Sequence, residues 1–142
     1  MPKISVKDIL NISKTALIQH GGLDWIAEDV AEAVAASESV GNRICGLYYL
    51  ESYCEQLLSG RVNGQASPDV QLVRPGSVYV DADDGFAQPA FSKGLPEALK
   101  LAEHNGIASL SIGRAHTCTS LGFFTKKIAE AGFLGLGLTN AS

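Results

Sequence analysis

Positive charge is scarce in this chain, with 11 Lys and Arg against 15 Asp and Glu and a formal net charge of -4. Phosphate backbones are held by clustered basic side chains, so nucleic acid is excluded as an expected partner. Long apolar runs are missing as well. None approaches the roughly 20 residues needed to cross a bilayer, and Met1-Pro2-Lys3-Ile4-Ser5 lacks the apolar core of a secretory signal. No membrane association and a cytoplasmic location are expected. Cysteine is confined to Cys45, Cys54 and Cys118, an odd set without a Cys-x-x-Cys pair, which suits a reducing compartment better than a disulfide framework. His20, His104 and His116 stand singly, none at helical or turn spacing from a second ligand, so no metal site is expected. The Gly-x-Gly-x-x-Gly fingerprint of a Rossmann dinucleotide site, which lets backbone approach a pyrophosphate at a helix N-terminus, is also missing. Its nearest imitation, Gly132 to Gly137, runs into an apolar stretch and reads as a strand that needs close packing.

What remains is apolar and periodic. With 46% hydrophobic residues among 142, the chain can bury one domain-sized core. Ser5 precedes an apolar series at Ile9, Leu10, Ile12, Ala16 and Leu17, which predicts a capped amphipathic helix ending near Gly21-Gly22. Asp24 is placed to cap a second helix, in which Ala27, Val30, Ala31 and Val34 recur at helical spacing until Gly41-Asn42. Leu47, Leu50, Tyr53, Cys54 and Leu57 predict a third helix up to Gly60.

The polar stretch Arg61 to Ser67 and Pro68 then mark a boundary, dividing a helical N-terminal region (1–67) from an α/β region (68–142). Beyond it Ser77 to Asp81 reads as a strand ended by Asp83-Asp84-Gly85, and Pro89 to Glu103 as a helix. Ile107 to Ile112 reads as a strand, Leu121 to Ala131 as a helix, and Phe133 to Leu138 as a buried strand. This order predicts an α/β fold: a helical N-terminal arm, then a partial mixed sheet with packed helices.

The stretch Ile112-Gly113-Arg114-Ala115-His116-Thr117-Cys118-Thr119-Ser120-Leu121-Gly122 leaves a strand and enters a helix. A helix N-terminus preceded by hydroxyls offers N–H and O–H donors to an anion, and a histidine beside it exchanges a proton near neutral pH. Spacing alone accommodates a second reading, in which Thr119 or Ser120 merely caps the helix and His116 is a loop residue. Likewise Tyr48, Tyr49 and Tyr53 fit packing as readily as recognition, and Cys118 fits a small packed side chain better than a nucleophile.

Asp81-Ala82-Asp83-Asp84-Gly85-Phe86-Ala87-Gln88 resembles the Asp-x-x-x-Gly-x-x-Gln segment of the malate/L-lactate dehydrogenase-type family of non-Rossmann NAD(P)-dependent oxidoreductases. His116 falls in the position of that family's strand-end histidine loop. Leu58-Ser59-Gly60-Arg61-Val62-Asn63 followed by Pro68, and Ala131-Gly132-Phe133-Leu134-Gly135 through Thr139-Asn140, resemble further family segments in the same order. The resemblance implies NAD or NADP as cofactor, a homodimer, and a small-molecule acid substrate: a 2-hydroxy or 2-oxo acid of the malate or lactate kind, or a cyclic imino acid. It implies that His116 accepts the proton, that Thr117, Cys118, Thr119, Ser120 and Leu121 contact the cofactor, and that Thr139 and Asn140 lie beside them.

The chain departs from the family at one place. Where members carry Ser-His-Gly-x-x-Arg, it has Ile44-Cys45-Gly46-Leu47-Tyr48-Tyr49. Cys45 then stands for the proton-donating histidine, and a thiol is able to transfer a proton. Tyr49 stands for the arginine that pairs with the substrate carboxylate, and a phenol hydrogen-bonds a carboxylate without neutralising it. Arg43, close by, is the candidate for the missing charge. Family members are more than twice as long, so the chain is expected to be an inactive N-terminal fragment of such an enzyme. The competing expectation is a noncatalytic dimerisation or ligand-binding module descended from it, having lost its acid and its carboxylate clamp.

Overall fold

The computed structural model describes residues 3–116 and 118–140. The chain divides into two compact units, Met1–Gln65 and Ala66–Ser142.

The first unit is helical: α1 (Val6–Gln19), α2 (Asp24–Ser39), a single 3-10 turn (Arg43–Cys45) and α3 (Leu47–Leu58). Ser5 caps α1 as its sequence predicts, its hydroxyl accepting from the Asp8 N–H at 3.1 Å. Asp24, expected to cap α2, does not. Leu23 holds the cap position with no side-chain bond, and the Asp24 carboxylate instead meets Lys14 Nζ at 3.0 Å. Lys14 also pairs with Glu28 at 2.7 Å, so the charge on α1 draws the acids of α2 toward itself. Alanines dominate the buried face of α2, where Ala27, Ala31, Ala33 and Ala35 alternate with Val30 and Val34, and such short side chains let the helices approach closely. Ile9 and Leu17 from α1 and Tyr53, Cys54 and Leu57 from α3 complete this core.

The second unit is a three-stranded mixed sheet in the order β1-β2-β3, with two helices. β2 (Ser77–Asp81) pairs antiparallel with β1 (Asp69–Arg74) and parallel with β3 (Ser109–Gly113). α4 (Ala87–Asn105) makes the crossover from β2 to β3, and α5 (Leu121–Glu130) follows β3. Val78 and Val80 of β2, Ala82, and Ala90 and Ala98 of α4 form a buried cluster on which Leu101, Leu110 and Ile112 pack. The two helices meet edge to face through Phe91 and Phe124, ring centroids 4.9 Å apart.

Two strand assignments change. β1 is unforeseen in the sequence because its polar–apolar alternation, Asp69 to Leu72, is short and broken at Val73, and all six of its residues are exposed. Its signal is the Pro75-Gly76 turn that folds it back on β2. Phe133 to Leu138, expected as a buried strand, forms no strand and leaves Leu134, Leu136 and Leu138 at least 85% exposed. The alternation is present, but its inner face is glycine. A Cβ at Gly135 would lie 3.1 Å from Ile128, and one at Gly137 3.2 Å from Thr125. The segment therefore packs on α5, whereas a strand requires a neighbour for its backbone groups, and β3 pairs only with β2 among the described residues.

Candidate active site

In the second unit the parallel pairing of β2 and β3 continues beyond the strands and positions His116. Ala82 N–H donates to Gly113 O at 2.9 Å, His116 N–H to Gly85 O at 2.8 Å, and Ala87 N–H to His116 O at 3.2 Å. Phe86 and His116 form a bridge outside the named strands, and their rings meet edge to face at 6.2 Å. The imidazole is thus half-buried at the end of β3, beside the N-terminus of α4.

The turn facing it carries Asp81, Asp83 and Asp84, all reached by one guanidinium. Arg114 Nε lies 2.8 Å from Asp81, Nη2 3.4 Å from Asp83 and Nη1 3.3 Å from Asp84. Asp81 also accepts the Asp83 N–H at 2.9 Å. That bond first, and Arg114 second, hold its carboxyl below the ordinary range. A depressed folded pKa stabilises the protein above the unfolded value, about 3.9, and this contribution is lost as pH falls through the folded value. In unfolding melts between neutral pH and pH 3, Asp81→Asn is expected to lower the midpoint slightly at neutral pH, with the gap to the unsubstituted protein narrowing progressively as pH falls below about 4. A gap undiminished at the acid end would remove Asp81 ionisation as its cause.

After His116, Thr117 lies outside the described residues. Cys118 is half-buried, and its Sγ is 3.6 Å from Thr139 Oγ1. The structure therefore brings the loop and the tail together at Cys118 and Thr139, with Asn140 next in the chain. Thr119 adopts a left-handed φ of 48°. Ser120 occupies the cap position of α5 without a side-chain capping bond, and the first turn of α5 contains no acid. Leu121 opens the helix. A Cβ on Gly122 would meet nothing nearer than Ser120 Oγ at 3.6 Å, so the backbone of this turn is open to close approach. A helix start with hydroxyl side chains, no acid and an approachable backbone fits an anionic group such as a dinucleotide pyrophosphate.

In the first unit, Arg43 and Cys45 form the two ends of the 3-10 turn before α3, Arg43 exposed and Cys45 half-buried. Tyr49 is half-buried and packs edge to face on Tyr53 at 5.2 Å, whereas Tyr48 is 79% exposed. Sequence reasoning missed Glu38, whose Oε1 accepts the Leu47 N–H at 2.8 Å and so binds the α3 N-terminus to the end of α2. The signal was Gly46: a Cβ there would collide with the Glu38 carboxylate, so only glycine lets the cap close beside Cys45.

The family model described as malate/L-lactate dehydrogenase matches residues 4–142. A Delta(1)-pyrroline-2-carboxylate/Delta(1)-piperideine-2-carboxylate reductase of Pseudomonas syringae pv. tomato is 30% identical over 138 residues, 97% of this chain and 40% of that protein. A (2R)-3-sulfolactate dehydrogenase (NADP(+)) of Chromohalobacter salexigens is 32% identical over 139 residues, 97% of this chain and 41% of that protein. The crystal structure of delta1-piperideine-2-carboxylate reductase from Pseudomonas syringae pv. tomato superposes with a TM-score of 0.89 at 30% identity, covering 93% of this chain and 40% of the other. The chain thus spans about 40% of the length of the curated relatives it matches.

Proposed function

The chain belongs to the malate/L-lactate dehydrogenase family, and from that premise we propose that the whole protein carrying it is an NAD(P)-dependent oxidoreductase of 2-hydroxy or 2-oxo acids or of cyclic imino acids. The observation that carries this reading is His116, held by two backbone hydrogen bonds at the end of β3, with the α5 N-terminus a few residues beyond. Hydride exchange with carbon is the chemistry a bound nicotinamide supplies. His116 moves the accompanying proton: its imidazole accepts one from a substrate hydroxyl in the oxidative direction and returns one to oxygen or nitrogen in the reductive direction.

Thr119, Ser120 and the backbone of Leu121 and Gly122 would hold the anionic part of the cofactor, with Thr139 and Asn140 beside them. Thr117 and Cys118 complete that assignment. The second unit is accordingly read as the first part of a cofactor-binding domain. In the helical unit, Cys45 stands at the family's histidine position and Tyr49 at its arginine position. We assign Cys45 a second proton-transfer role, and Tyr49 and Arg43 contact with the substrate carboxylate. A homodimer and a cytoplasmic location belong to the same reading and rest on the family resemblance.

A phenol in place of a guanidinium lowers the charge available to a dicarboxylate, which favours a substrate with one carboxylate. The imino-acid substrates named for the Pseudomonas relative support the same direction. Incubation of the whole protein with NADH or NADPH and a panel of 2-oxo and cyclic imino acids is expected to oxidise the reduced nicotinamide with at least one of them, and dicarboxylates are expected to be the poorer substrates. Binding of the cofactor without oxidation across the panel would instead favour a noncatalytic ligand-binding module, the reading that the substitutions at Cys45 and Tyr49 support.

A further inference from the structure

We propose that Arg114 is a positioning residue: it latches the His116 loop onto the turn after β2 and so controls turnover without touching substrate. The proposal rests on the proton-transfer role assigned to His116 above.

Three facts converge on the latch. Arg114 Nε bonds Asp81 at 2.8 Å, while its two terminal nitrogens reach Asp84 at 3.3 Å and Asp83 at 3.4 Å, so one planar fork spans three carboxylates of the facing turn. Arg114, Asp83 and Asp84 have φ values of 48°, 54° and 56°. Left-handed backbone is disfavoured for any L-residue with a Cβ, and three such residues persist together only where their surroundings hold them. Finally, the backbone bond from His116 N–H to Gly85 O, 2.8 Å, lies two residues beyond Arg114 on one side and one residue beyond Asp84 on the other. The ion-paired residues therefore flank the hydrogen bonds that place the imidazole.

The alternative is that the network only stabilises the fold. Its geometry argues against this. The Arg114 side chain is 51% exposed, and those of Asp81, Asp83 and Asp84 are 29%, 42% and 66% exposed. Ion pairs so wetted contribute little to global stability, whereas the local conformation of a short loop is set by just such contacts. Lysine, a point charge on a flexible stem, reproduces the attraction but not the three-way fork.

The test compares Arg114→Ala and Arg114→Lys in the whole protein. In Arg114→Ala, amide exchange at His116 and Ala87 is expected to accelerate by about 10-fold or more while exchange in Val80 of the core stays unchanged. The kcat is expected to fall about 10- to 100-fold with KM within about twofold, and Arg114→Lys is expected to recover part of both. Unchanged exchange at His116 would overturn the latch. Acceleration spread equally to Val80 would reduce it to a fold-stabilising contact, and faster exchange with unchanged kcat would remove its effect on turnover. If Arg114→Ala does not fold, Asp84→Asn removes one of the three anchors and is expected to move the same readouts in the same direction, with unchanged exchange again fatal. A parallel His116→Ala variant separates the two proposals: full activity there would defeat the proton-transfer role while leaving the exchange result standing.

Discussion

Replacing His116 with alanine is expected to lower kcat by roughly 100-fold or more, the usual contribution of a positioned general acid or base. The backbone that presents this residue is held by main-chain bonds at both its N–H and its C=O, and alanine keeps both, so the loss is confined to the imidazole. Its edge-to-face contact with Phe86, ring centroids 6.2 Å apart, contributes about 1 kcal/mol of stability. Folding and turnover are therefore separable in this variant. Steady-state kinetics of the whole protein across pH provide the measurement. The expected result is a fall in kcat together with loss of the limb in the pH profile that belongs to the imidazole. Turnover within a few-fold of the unsubstituted protein would take His116 out of the chemistry and pass the proton to Cys45 or to solvent.

The second large effect is on stability. Gly94→Val is expected to destabilise the second unit by about 3 kcal/mol, a fall in Tm on the order of 10 °C. Glycine inside a helix costs about 1 kcal/mol relative to alanine, so its presence in the middle of α4 requires a packing reason. The helix lays Ala90, Gly94 and Ala98 against the sheet, a stripe of minimal side chains at a spacing of four. A Cβ at Gly94 would stand 2.5 Å from Val80 Cγ2 and 2.8 Å from Leu110 Cδ1. Both neighbours sit on strands fixed by the β2–β3 ladder, with Val80 opposite Ile112 and Val78 opposite Leu110, so the helix must lift. Because α4 begins at Ala87, whose N–H holds the His116 carbonyl, lifting it also disturbs the candidate site. Thermal unfolding followed by circular dichroism reads the stability effect. Gly94→Ala, which gains helix propensity while meeting the same two atoms, is expected to melt between the unsubstituted protein and Gly94→Val. If Gly94→Val melted at the original temperature, the packing account would be contradicted.

Much of the fold was legible in the chain because its signals are local. Apolar residues at threes and fours located α1, α2 and α3, and Ser5 announced its own cap. The strand–turn–helix reading from Ile112 to Gly122 placed His116 at the end of β3 and Ser120 at the start of α5. The misreadings have a common cause. β1 exists because β2 lies beside it, although none of its six residues is buried. Phe133 to Leu138 has strand-like alternation but packs glycines on α5 and pairs with no strand among the described residues. Asp24 has the chemistry of a cap and spends it on Lys14, ten residues earlier in the chain. In each case the outcome was decided by a partner that local pattern does not contain.

The candidate site divides along the same line. Family membership, the α/β order of elements and the histidine at a strand end follow from the order of residues, because periodicity, turn chemistry and motif spacing act over a few positions. The Arg114 network depends on carboxylates 30 to 33 residues away, and the Cys118–Thr139 contact on a separation of 21. Such pairs meet only once the β2–α4–β3 crossover has closed and α5 has folded back. Hydrogen bonds and ion pairs act over a few ångströms, so chain distance says nothing about them until tertiary structure has converted it into distance in space.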